Sequence, residues 1–216
     1  MSRQTVVALV ISILALRANP VSAELVTFEF AGEVTHVWDD DGLLGGAVTG
    51  GSPFSGLYTF ESTTPDSDPD EPRHGLYNDA IMLVSGDVAG ISFAGPAGTL
   101  NAIEVLDFPD TSFDKYRVFA EITLLDIGLD LSLSAHDASG TAIQSESLPI
   151  TPPDLALFGF TMFSVFDGSE AIPLGIDGQL TSLVPEPVTL VLFGTVGLLV
   201  SRRRRTPISV NEVRRK

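Results

Sequence analysis

Apolar and polar side chains alternate along Phe54-Ser55-Gly56-Leu57-Tyr58-Thr59-Phe60 and Leu129-Asp130-Leu131-Ser132-Leu133-Ser134, and partway along Leu25-Val26-Thr27-Phe28-Glu29-Phe30. A period of two places one face of a strand on a core and the other in water. The same reading predicts strands over residues 91–93, 99–106, 116–125, 157–166 and 176–183, with clusters of Gly, Pro, Asp and Asn between them. No stretch of the body sustains a capped apolar stripe of period 3.6, although residues 77–83 can form one or two helical turns. Several short strands without helices predict a mainly β body, an antiparallel β-sandwich or jelly roll.

The two ends carry a different pattern. Met1-Ser2-Arg3 precedes an apolar run over residues 6–16, broken only by Ser12, and Asn19-Pro20 then leads into Val21-Ser22-Ala23. A charged start, an apolar centre and small residues at the close form a secretory signal peptide, residues 1–23, cut between Ala23 and Glu24. As a helix the apolar run is about 16 Å long, too short for a hydrocarbon core of about 30 Å. At the other end Val184-Pro185-Glu186-Pro187 is followed by an uncharged apolar run to Val200 and then by Arg202, Arg203, Arg204 and Arg205. Four arginines closing an apolar helix form a stop-transfer signal with its basic end in the cytoplasm. This predicts a marginal transmembrane helix over residues 187–201 and a basic cytoplasmic tail over 206–216, and leaves residues 24–183 as the exported domain.

Pro185-Glu186-Pro187, the apolar helix and the arginine block, in that order, resemble the PEP-CTERM sorting signal over residues 184–205. The resemblance implies export through the inner membrane of a Gram-negative bacterium that makes extracellular polysaccharide. It also implies a transient stay in that membrane, recognition at Pro185, Glu186 and Pro187 by an exosortase, and release to the cell surface or beyond. Residues 206–216 extend past the point where such tails usually stop. The segment 56–81 is similar to a pattern recurrent in the globular part of PEP-CTERM proteins, to which no activity is attached.

Charge sharpens this picture. The chain has 216 residues, 44% hydrophobic and 19% charged, enough to build a core. Residues 24–184 hold 26 Asp and Glu against only Arg73, Lys115 and Arg117, a balance of −23. Such a body repels phosphate backbones and anionic head groups, which excludes nucleic acid as its partner and makes cations the natural small ligands. The absence of Cys removes disulfides, thiolate metal sites and cysteine nucleophiles.

Asp66, Asp68 and Asp70 stand at alternate positions of a Pro-rich loop, where carboxylates can converge on Ca²⁺; Asp39 and Asp41 offer a second such cluster. The other reading of both is a solvated turn shaped by Asp and Pro. Thirteen Phe suit a sheet interior, whereas Trp38 beside Asp39-Asp40-Asp41-Gly42 is where a sugar-stacking ring and acceptors coincide. His36, His74 and His136 lie singly, and no Gly-x-Ser-x-Gly, His-Glu-x-x-His or phosphate loop is present. The expected role is thus structural or adhesive and associated with exopolysaccharide, with no catalytic residues; a glycan-active hydrolase or lyase is the alternative, since two carboxylates at the right separation suffice for that chemistry.

Overall fold

The alternating segments become ten strands in the computed structural model, which describes residues 24–96, 101–108, 113–167 and 174–186. They are β1 (Leu25–Asp39), β2 (Pro53–Glu61), β3 (His74–Asn78), β4 (Ile81–Val88), β5 (Ile91–Pro96), β6 (Asn101–Phe108), β7 (Phe113–Leu124), β8 (Ile127–Asp137), β9 (Phe160–Phe166) and β10 (Leu174–Pro185). The expected signal peptide 1–23, the expected transmembrane run 187–201 with its arginines and the tail 206–216 lie outside the described residues. Among the described residues no helix is long and apolar enough to cross a membrane. The helical turns expected over 77–83 are instead a corner between two strands that do not pair with each other: Asp79, at φ 60°, turns β3, which pairs with β6, into β4, which pairs with β2 and β5. Asp tolerates that left-handed conformation because its short side chain bonds locally.

All pairings are antiparallel, so the mainly β expectation holds. The difference from a two-sheet sandwich or jelly roll lies in the pairing of β7 with β8, which joins the last strand of the sheet to an earlier one. Hydrogen bonding then runs around β1-β2-β4-β5-β7-β8-β9-β10 and back to β1, an eight-stranded barrel. β6 and β3 form a flap off the first half of β7. Where β6 takes that half, β5 meets β7 through only Phe93 opposite Leu124 and Ala94 opposite Thr123. Asn101 spans the weak seam by donating Nδ2–H to the Ile81 carbonyl and accepting the Ile81 N–H at Oδ1, both at 2.8 Å.

The barrel interior is aromatic. Phe163 is fully buried and stacks on Phe54 at 4.1 Å between centroids, with Phe30 and Phe93 at 6.3 and 6.4 Å. Inward-facing glycines admit these rings: a Cβ on Gly178 would collide with Phe54, and one on Gly86 with Phe93. The Tyr58 and Tyr116 hydroxyls meet at 2.9 Å in the core, and burial raises both phenol pKa values, so both stay protonated and one donates to the other. The loop after β8 is tied down at Asp137, whose carboxylate accepts from the N–H groups of Ser139, Thr141 and Ala142. The Thr141 N–H and then the Ser139 hydroxyl and N–H hold that carboxyl well below the usual range.

Candidate functional site

The first acid of each cluster serves as a backbone acceptor. Asp66 Oδ1 accepts from the N–H of Asp68 at 2.9 Å and of Leu76 at 3.0 Å, while the Leu76 carbonyl accepts from Ser67 N–H at 2.7 Å. The first bond closes an Asx turn; the other two give the outer edge of β3 a substitute neighbour. Asp68 turns to His74, and Asp70 is exposed. Asp39 likewise divides its carboxylate between the N–H groups of Leu43 at 2.6 Å and Leu44 at 2.9 Å, with Asp41 exposed beside it. Among the described residues no three His, Cys, Asp or Glu side chains are grouped to hold a metal ion.

Replacing Asp66 by Ala is expected to cost about 1 kcal/mol, the net worth of the lost bonds, whereas Asp66→Asn keeps Oδ1 and costs less. Thermal melts of both variants, with and without millimolar calcium, provide the check. A calcium-dependent rise in Tm that vanishes when Asp66, Asp68 and Asp70 all become Asn would identify these residues as ligands.

The histidines are separate. His74 places Nδ1 at 3.1 Å from Asp68 Oδ2 and Nε2 at 3.4 Å from Glu104 Oε1, and Glu104 Oε2 lies 2.8 Å from Lys115 Nζ. This chain of polar contacts ties the acidic loop to β3, β6 and β7. His136 packs between Phe113 and Phe160, each centroid 5.8 Å away, and burial, helped by Lys115 and Arg117, lowers its pKa. It is therefore neutral at physiological pH. His36 packs on Trp38 at 4.1 Å.

The residues of the expected sorting motif that are described sit on the barrel wall. Pro185 stands opposite Phe28 at the end of β10, and the Glu186 N–H donates to the Thr27 carbonyl at 3.0 Å. Glu24, the first residue after the predicted cut, accepts at its carbonyl from Ser62 N–H. Ala23, Pro187 and Arg202 to Arg205 lie outside the described residues.

A groove forms where two strands part. β9 and β10 pair only between Phe163 opposite Gly178 and Phe166 opposite Gly175. Beyond Phe163 they diverge, linked by the Thr161 hydroxyl donating to the Leu180 carbonyl at 2.7 Å. The space left is about 380 Å³, with Phe160 and Met162 on the β9 side, Asp177 and Gln179 on the β10 side, and Thr35 at the rim. Thr35 is the extra residue of a bulge in β1, where the register steps from Val34 opposite Gly178 to His36 opposite Asp177. Such a bulge re-aims the side chain it carries. The Ser164 hydroxyl donates to Asp177 Oδ1 at 2.7 Å and so orients that carboxylate.

Phe160, which lines the groove, and Trp38, which lies outside its lining, both stand in the open. Phe160 is 54% and Trp38 47% exposed. Trp38 leans over Gly175, where a Cβ would come within 2.9 Å of Cε3, so only a bare glycine admits the indole there. Sequence patterning singles out Trp38 alone; Phe160, Asp177, Gln179 and Thr35 come from three separate segments that only the divergence of β9 and β10 brings together.

No family model, no curated protein and no solved structure matches this chain.

Proposed function

We propose that this chain is an exported acidic β-barrel of the cell surface or extracellular matrix, delivered by a PEP-CTERM-type signal and associated with extracellular polysaccharide. Its partners on the way are the inner membrane, transiently, and an exosortase. One observation carries the reading: Pro185-Glu186-Pro187 begins on the last residue of the last barrel strand and precedes, in sequence, an apolar run closed by Arg202 to Arg205. With Glu186 still bonded to β1, the motif stands at the boundary between barrel and anchor, and cutting there separates an acidic body from a basic tail. A structural or adhesive role is favoured over glycan hydrolysis or lysis because the groove is lined by a single carboxylate, Asp177, whereas hydrolysis uses two flanking the bond.

The released form should lack everything from about Pro187 onward, 30 of 216 residues, and so run about 3 kDa below the membrane form of this 22.9 kDa chain. Glu186→Ala, or deletion of Arg202 to Arg205, should make unprocessed protein accumulate. Mass spectrometry of membrane and medium fractions reads both results. Full-length chain with Lys216 attached in every fraction of an exosortase-bearing strain would overturn the sorting proposal.

A further inference from the structure

We infer that the groove between β9 and β10 binds a neutral hexose polymer, with Phe160 and Trp38 as stacking rings and Asp177 and Gln179 as the groups that meet its hydroxyls. The inference rests on the polysaccharide association proposed above and gives it a place and a chemical class.

A pyranose is amphipathic: its ring faces present C–H groups and its rim presents hydroxyls, so it needs apolar surface and hydrogen-bonding groups side by side. The groove offers that pairing, with Phe160 and Met162 on one side and Asp177, Gln179 and Thr35 on the other. Its volume, about 380 Å³, lies within the roughly 300–1,000 Å³ of ligand pockets. Fixed aromatic rings carry contact area at low entropic cost, and half-exposed Phe160 and Trp38 have no core to fill. A protein or peptide partner that covered Phe160 with apolar side chains would strand the opposite polar side without water or partners, at a cost for each group.

Charge selects among glycans. The body between residues 24 and 184 carries −23, and the one ionisable group lining the groove, Asp177, is acidic. Uronate or phosphate-bearing chains are repelled by that field, while the hydroxyls of a neutral chain can donate to the carboxylate. Register sets the length. Trp38 stands opposite Gly175, and Gln179 lies four residues further along β10, about 13 Å at ~3.3 Å per residue. A ligand touching both the groove and Trp38 is therefore an oligomer of several sugars, and a monosaccharide reaches only one of them.

Affinity gel electrophoresis of the purified full-length protein in mild detergent tests this, with dextran or hydroxyethylcellulose as neutral probes and alginate as the anionic one. Retardation by at least one neutral polymer and not by alginate is expected, with Kd raised about tenfold by Phe160→Ala and by Trp38→Ala, as for the loss of an aromatic anchor. Gln179→Leu, which removes at an exposed position the amide that meets the sugar hydroxyls, should weaken retardation by a second route. Melting curves of the three variants confirm that the barrel persists. The inference fails if neither neutral polymer retards the protein, if alginate retards it equally or more, or if all three variants bind like the parent. Binding is read on isolated protein, so its failure leaves the sorting proposal standing, and failure of sorting leaves the binding site standing.

Discussion

Phe163→Ala should destabilise the barrel by about 3–5 kcal/mol, the range for removing a fully buried Phe. Phe163 is the ring around which the interior closes: it stacks on Phe54 and touches Phe30 and Phe93, which reach it from β2, β1 and β5. The strands behind these rings cannot collapse into the hole, because glycines such as Gly178 and Gly86 already bring backbone against the neighbouring phenyls. At about 2–4 °C per kcal/mol for a body of this size, Tm should fall by roughly 10 °C or more. Urea unfolding followed by fluorescence measures the loss. A cost below about 1 kcal/mol would mean that the rings do not form one packed centre.

Asn101→Ala should cost about 3 kcal/mol, although only one polar side chain is lost. Its amide acts as an extra peptide unit, bonding both the N–H and the carbonyl of Ile81 in a buried position. Without it two buried backbone groups are orphaned at about 1–3 kcal/mol each, at the seam where β5 holds β7 by only two residue pairs. Asn101→Asp adds a pH signature. A carboxylate cannot donate to the Ile81 carbonyl but a protonated carboxyl can, so folding raises the pKa of this group. Its stabilising form is then fully present below the unfolded Asp value near 3.9 and is lost as pH rises through the folded value. The penalty relative to the parent chain should therefore be smaller at pH 4 than at pH 7. Equal penalties at the two pH values would show that Ile81 does not depend on this donor.

Eight of the ten strands are marked in the sequence: β2 and β8 by clean alternation and β1 partway, because a strand with one wet face writes its period into the sequence whatever it pairs with, and β5, β6, β7, β9 and β10 as apolar stretches set off by turn residues. β3 and β4 do not, since the corner at Asp79 lies inside a short apolar stretch whose spacing suits a helical turn as well. The acid clusters show the reverse ambiguity. Asp66 and Asp39 are placed as a cation site would place them, and equally as turn formers, and the N–H groups they accept from at Leu76 and Leu44 lie ten and five residues away.

By itself the chain determined an antiparallel mainly β body, its acidity, the absence of thiol chemistry and the order of parts on which the export proposal rests, because these depend on composition, local periodicity and linear order. Closure into a barrel was decided only by tertiary structure: β7 must bond β8 along one edge while sharing its other edge between β6 and β5, and no local pattern encodes a strand with three partners. The groove was decided there too. It exists because β9 and β10 stop pairing at Phe163 and a bulge turns Thr35 toward the gap, so its walls are assembled from residues more than a hundred positions apart, whose proximity follows from packing and register and not from sequence spacing.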